Sequence, residues 1–220
     1  MKSKIINQKI TVTNSRIIEV EDLGFIPYKL AWEYQQKLVK ERLENFELPD
    51  KLLLVEHPSV YTLGTGSTLE NLKFDLNKFS GELYRTERGG EVTFHCQGQI
   101  VVYPILNLHY YQKDLHWYLR QLEEVIIQLL AKYNLKSQRI NGLTGVWINE
   151  AKIAAIGIKV KRWITMHGFA LNVCCDLSGF GKIIPCGIKN KLVTRLSDYY
   201  PNICILEVKK QLVKTFAEVF

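Results

Sequence analysis

Residues 88–103 read RGGEVTFHCQGQIVVY: a basic, glycine-bearing turn that runs into two stretches of β-forming residues around one histidine. Valine, threonine, isoleucine and the aromatics fit a pleated, half-buried surface. Strands are therefore expected over 91–95 and 99–105. Working outward, KLLLVE (51–56) and SVYTL (59–63) give two more strands, broken at His57-Pro58 because proline cannot donate to a ladder. A short strand is expected over 82–85. Towards the C-terminus, 145–149, 152–161 and 163–173 are rich in Ile, Val and aromatics, with Asn149-Glu150 as a hairpin tip.

Helices bracket these strands. Residues 27–46 read as one, with Ala31, Gln35, Leu38 and Leu43 among its positions, ended before Pro49. In 114–133 the apolar residues Leu115, Tyr118, Leu119, Leu122, Ile126, Leu129, Leu130 and Tyr133 recur at helical spacing, with Asp114 at the positive end of the helix dipole. Residues 205–220 close the chain as an amphipathic helix. Strands and helices are grouped rather than alternating, which argues for an α+β fold, a mixed sheet flanked by helices.

With 220 residues, 47% of them hydrophobic, the chain can bury one substantial core. No repeat or linker divides it, so a single domain over 1–220 is expected. No apolar run approaches a membrane span, and MKSKIINQKITVTN has no apolar core followed by a small-residue cleavage site. A cytoplasmic protein with no membrane partner is expected. The five cysteines, Cys96, Cys174, Cys175, Cys186 and Cys204, are odd in number and lack a C-x-x-C pair, so they read as reduced thiols. A net charge of +7 favours an acidic partner, nucleic acid or protein. Mild basic clusters occur at Lys159, Lys161, Arg162 and at Lys182, Lys189, Lys191, Arg195, but no long basic tract, and a solvated face accounts for them equally well.

Cys186, between Pro185 and Gly187, is the leading nucleophile candidate, because a thiol in an exposed turn becomes reactive when a nearby cation favours its thiolate. An arbitrary free cysteine is most often buried structure. Cys174 and Cys175 are adjacent at a strand end and point to opposite faces, and Cys204 precedes a helix and reads as structural. The histidines His57, His95, His109, His116 and His167 show no metal-binding spacing, so no metal and no cofactor are expected. His95 and His167 remain possible partners of a cysteine hydrolase. Lys152 opens KIAAIGIKV, whose small apolar residues let its amine turn into a cleft, although a lysine beside a hairpin tip is usually solvated. Arg88-Gly89-Gly90 is a donor-rich turn that a ligand can approach closely, yet it is neither a Walker A nor a dinucleotide fingerprint.

At these residues the chain resembles the lipoate-protein ligase B family, the octanoyl-acyl carrier protein:protein octanoyltransferases. The matching segments are LLLVEHPSVYTLG (52–64), RGGEVTFHCQGQIVVYPI (88–105), LTGVWI (143–148), KIAAIGIKV (152–160), HGFALNV (167–173) and PCGI (185–188), in family order over most of 52–197. The resemblance implies the fold shared by biotin and lipoate ligases. It also implies that Cys186 carries an octanoyl group taken from acyl carrier protein, that Lys152 lowers the thiol's pKa, and that a lysine of a lipoyl domain accepts the group. The acceptors implied are the lipoyl domains of 2-oxoacid dehydrogenase complexes and the glycine cleavage H protein. No ATP is consumed, since the incoming thioester is already activated. The family's acyl-binding segments fall on Arg88, Gly89, Gly90, Glu91, Val92, Thr93, Phe94 and His95, on Ala155, Ile156 and Gly157, and on Gly168, Phe169 and Ala170. The family pattern H-G-P-G-Q stands here as His95-Cys96-Gln97-Gly98-Gln99, with Cys96 as in the cyanobacterial and plastid branch and Gln97 replacing a proline. The other readings are an amidotransferase moving lipoyl or octanoyl groups between proteins, a silent binding module for acyl carrier protein or lipoyl domains, and an ATP-dependent ligase.

Overall fold

A computed structural model describes residues 6–12, 16–184 and 192–220. The chain begins with β1 (Ile6–Thr11), β2 (Ile17–Phe25), α1 (Tyr28–Glu44), β3 (Asp50–Glu56) and β4 (Val60–Leu63). It continues through β5 (Glu82–Arg85), β6 (Thr93–His95), β7 (Gln99–Ile105), α2 (Leu115–Lys132), β8 (Gln138–Ile140) and β9 (Leu143–Ile148). It ends with β10 (Ala151–Lys161), β11 (Ile164–Asn172), β12 (Leu192–Val193) and α3 (Ile205–Val219). Among the described residues no helix is long and apolar enough to cross a membrane.

The main sheet is ordered β1-β2-β3-β7-β11-β10-β9-β8, with β12 paired to β10; β2–β3 and β10–β12 are parallel and the other pairs antiparallel. A smaller sheet has the order β5-β4-β6. The central strands are apolar on both faces because both are covered. Leu52, Leu54, Ile100, Val102, Phe169 and Leu171 pack into one core with α2 and α3. Leu53, Val55, Val101, Tyr103, Ile105, Met166 and Ala170 pack into a second core with α1. The α+β architecture expected from the sequence is the one observed.

Local chemistry sets the element ends. The Asp114 carboxylate accepts from the N–H groups of His116 and Trp117 at 2.7 and 3.1 Å and so caps α2. Asn149, with φ of 51°, turns the hairpin between β9 and β10 where the sequence placed it. The strand expected over 91–95 shortens to Thr93–His95, because the Glu91 carbonyl is taken by the Arg88 guanidinium at 2.7 Å instead of a ladder partner. The strands β1 and β2 were not expected. They extend the sheet past β3, and β3 is tied to α1 by the buried Arg42–Asp50 pair, whose carboxylate also accepts from Asn107 N and the Tyr111 hydroxyl.

Candidate active site

Arg88 organises the glycine turn through backbone carbonyls. It is 7% exposed. Its guanidinium donates to Thr62 O (2.6 Å), Glu91 O (2.7 Å), Gly89 O (3.1 Å) and Thr62 Oγ1 (2.9 Å), pulling residues 88–91 down onto β4. The turn also lies flat on β10, where Gly89 N donates to Ile158 O at 2.8 Å. Glycine is needed on both sides of this contact. A Cβ on Gly64 would stand 2.2 Å from Gly90 O, and one on Gly157 would stand 2.8 Å from Gly89 O.

Beneath the turn is a cavity of about 190 Å³ between the main sheet, the small sheet and the start of α1. Of the residues expected to bind substrate, Arg88, Gly90, Glu91, Val92, Thr93, His95, Ala155, Ile156, Gly157, Gly168, Phe169 and Ala170 line it, and Lys152 joins them. Gly89 and Phe94 do not line it. Gly89 is turned onto Ile158, and Phe94 points the other way because side chains alternate along β6. Its ring packs 4.9 Å from Tyr61 and 5.6 Å from Phe180. Cys96 belongs to that same aromatic cluster and donates to Asp176 O at 3.4 Å. The turn at Gln97-Gly98 is held without a proline: Gly98 N donates to Glu56 Oε2 at 3.0 Å, and Gly98 O accepts from Val173 N and Cys174 N.

Lys152 is 7% exposed, and its Nζ donates to Thr144 O at 3.0 Å and lies 4.8 Å from the Trp147 ring centroid. Gly145 makes room for it, since a Cβ there would come within 3.0 Å of Lys152 Cε. Pro185, Cys186 and Gly187 lie outside the described residues, as do Lys189 and Lys191. The chain on either side is fixed. Ile184 N donates to Asn71 O at 2.8 Å, and Val193 of β12 pairs directly with Lys152, whose carbonyl accepts from Thr194 N at 3.0 Å.

Buried polar groups that sequence reading did not connect complete the site. Gln99 Oε1 accepts from His95 Nδ1 at 2.7 Å, Gln99 Nε2 donates to Asn172 Oδ1 at 2.8 Å, and Asn172 Nδ2 donates to Thr194 O at 3.0 Å. This relay joins the cavity to the strand beside Lys152. His57 Nδ1 donates to Ile26 O, so its Nε2 accepts from the Tyr103 hydroxyl, both at 2.9 Å. Burial pushes His57 down to about 4 and His95 down to about 3, so both rings are neutral near pH 7. The His167 ring, 3.8 Å away, and then the Trp32 indole N–H hold the Glu87 carboxyl down to about 2, while burial pushes His167 itself down. For His95, Gln99 and Asn172 the signal in the sequence was a polar residue in an apolar strand. Its partner came from another element in each case.

A sequence model described as the lipoyl protein ligase A/B catalytic domain matches residues 27–217. The chain belongs to this family. It is 59% identical to an octanoyltransferase of Nostoc sp. across 90% of this chain and 89% of that one. It is 54% identical to an octanoyltransferase of Synechocystis sp. across 90% and 87%, and 45% identical to a chloroplastic octanoyltransferase of Arabidopsis thaliana across 99% and 83%. These relatives place it in the octanoyltransferase branch, among cyanobacterial and plastid forms, and it is an acyltransferase. Among solved structures, a lipoate-protein ligase A bound with ATP superimposes with a TM-score of 0.71 at 18% identity, covering 87% of this chain and 81% of the other. A bipartite lipoate-protein ligase from Thermoplasma acidophilum gives 0.70 at 18%, covering 90% and 81%. At that identity they share the fold.

Proposed function

We propose that the enzyme takes an octanoyl group from octanoyl-acyl carrier protein onto Cys186 and passes it to a lysine of a lipoyl domain. The Cys186 thiolate attacks the donor thioester carbonyl and the carrier's pantetheine thiolate leaves. The acceptor amine then attacks the new thioester, forming an amide and releasing the Cys186 thiol. Lys152 favours the thiolate in the first step, because an adjacent ammonium stabilises the charged form. The observation that carries this reading is the buried Lys152 amine at the cavity wall, with the strand that leaves the Pro-Cys-Gly segment paired to it. The apolar part of the lining, Val92, Val101, Ala155, Ile156, Phe169 and Ala170, adds binding energy: about six buried methylenes at ~0.8 kcal/mol each contribute about 5 kcal/mol.

The acidic carrier protein accounts for the charge of +7, and the reaction is assigned to the cytoplasm, where thiols stay reduced. The acceptors are the lipoyl domains of 2-oxoacid dehydrogenase complexes and the glycine cleavage H protein. The test mixes purified enzyme, octanoyl-acyl carrier protein and apo lipoyl domain without ATP, with both proteins weighed by mass spectrometry. One octanoyl increment is expected on the acceptor and, with acceptor omitted, on the Cys186 peptide. Transfer that requires ATP, or an adduct that maps elsewhere, contradicts the proposal.

A further inference from the structure

The buried face of α2 is made of Tyr118, Leu122, Val125, Ile126, Leu129 and Leu130, and one acid, Glu123, interrupts it at 1% exposure. A carboxylate in such a place is costly unless it is paired and hydrogen-bonded. Its two oxygens divide that task. Oε2 accepts from the guanidinium of Arg120 and, at 2.9 Å, from that of Arg139 on β8, which together balance the charge. Oε1 accepts instead from the backbone N–H of Gly145 at 3.1 Å.

Gly145 is where β9 departs from its ladders. It has φ 128° and no Cα partner on β8 or β10, and the β9–β10 register shifts between Lys152 and Ala154. An irregularity of this kind re-aims the groups beside it. The peptide joining Thr144 to Gly145 is trans, so its carbonyl and its N–H point in opposite directions. The N–H faces Glu123, and the carbonyl accepts from Lys152 Nζ at 3.0 Å. One peptide therefore stands between the buried carboxylate and the lysine amine. A hydrogen bond to a charged acceptor is stronger than one to a neutral group, and it polarises the same peptide's carbonyl towards the amine.

We infer that Glu123 is a positioning residue for Lys152: through the Thr144–Gly145 peptide it fixes where the lysine amine sits at the cavity wall. The inference rests on the reading of Lys152 as the group that favours the Cys186 thiolate. Without Glu123 the peptide can rotate, its carbonyl no longer holds the amine, and the thiolate loses part of its stabilisation. The direct field of the carboxylate acts in the opposite sense. Removing a negative charge leaves the surroundings more positive, with Arg120 and Arg139 unopposed, and a thiol then ionises more readily. The sign of the change separates positioning from a plain charge effect, whereas a packing role moves only the unfolding midpoint.

The test follows iodoacetamide alkylation of the Cys186 peptide against pH, together with octanoyl transfer, in wild type, Glu123→Gln and Glu123→Leu, each also combined with Lys152→Met. Glutamine keeps an oxygen for Gly145 N without the charge, and it carries the test should the leucine variant fail to fold. The alkylation midpoint should rise by about 0.3 unit in Glu123→Gln and about 0.7 unit in Glu123→Leu, with kcat/KM for transfer lower by about three-fold and about ten-fold. Combined with Lys152→Met, neither substitution should raise the midpoint further. A midpoint unmoved or lowered in the folded Glu123 variants, while Lys152→Met raises it, overturns the inference alone. A rise that persists in the Lys152→Met background overturns it too, because Glu123 then acts by another route. If Lys152→Met leaves the midpoint unmoved, the reading of Lys152 falls and the inference falls with it.

Discussion

Phe169 and Ala170 are neighbours on β11 and face two different interiors. Beneath α2 and α3 the buried set is almost wholly apolar, with Leu122, Ile126, Leu129, Leu212 and Phe216 all fully buried. Around the cavity a polar set is buried instead: Gln99, Lys152 and His167 from the same sheet, His95 from the small sheet, and His57 and Arg88 from the connecting turns. A buried polar group costs free energy unless it is hydrogen-bonded, and all of these but the His167 ring are bonded, so the first face is held by apolar burial and the second by directed hydrogen bonds. Damage to the two faces should separate into lost folding and lost chemistry.

The largest effect is expected on the cavity side. Cys186→Ala should abolish transfer, a loss of at least ~10³-fold, while leaving the unfolding midpoint within about 1 kcal/mol of wild type. Cys174→Ala, Cys175→Ala and Cys204→Ala should retain activity. Cys174 and Cys204 are exposed, and Cys175 is buried in the aromatic cluster away from the cavity. Full transfer by the Cys186 variant would break the comparison at its chemical end.

On the other face, Phe216→Ala should cost about 3–5 kcal/mol, because it removes a fully buried ring that stacks on Phe220 at 4.4 Å. Transfer per folded molecule should stay within two-fold of wild type at low temperature. Loss of activity in proportion to the mutation, with the fold intact, would show that the faces are coupled.

Acid sharpens the contrast further. His57 and His95 bind a proton more weakly folded than unfolded, so their contribution is complete above about pH 6.5 and is lost as pH falls towards about 4 and 3. Between pH 6.5 and 5 each should remove about 2 kcal/mol. Urea midpoints measured from pH 7 to 5 should fall accordingly in the wild type. The slope should flatten in His57→Gln and stay unchanged in Leu122→Ala. A smaller effect, about 1 kcal/mol, is expected from Asp114→Ala at the cap of α2, with no change in transfer.

Periodicity made the apolar face legible. The spacing from Leu115 to Tyr133 specified α2, Asp114 its start, and Asn149-Glu150 the turn that sets β9 against β10. The first two strands escaped notice, although Ile18 and Val20 are buried and alternate with Glu19 and Glu21 on the partly exposed side. The cavity was legible in composition but not in arrangement. Family motifs pointed to 88–95, and the period of two already separates Phe94 from Thr93 and His95. The burial of Lys152 depends on Gly145 and the Thr144 carbonyl across a hairpin. The neutrality of His95 depends on burial by the strands that enclose it, which outweighs the pull of the Gln99 hydrogen bond towards the protonated ring. Those are tertiary facts, fixed only when the sheet assembles.

The central claim is that Lys152 tunes the Cys186 thiol, and the rate of Cys186 alkylation by iodoacetamide as a function of pH measures it. A free cysteine titrates near ~8.5. The wild-type midpoint should lie at least about one unit lower, and Lys152→Met, with its fold confirmed by circular dichroism, should move it back up by about that amount. A midpoint that is the same in both proteins contradicts the account.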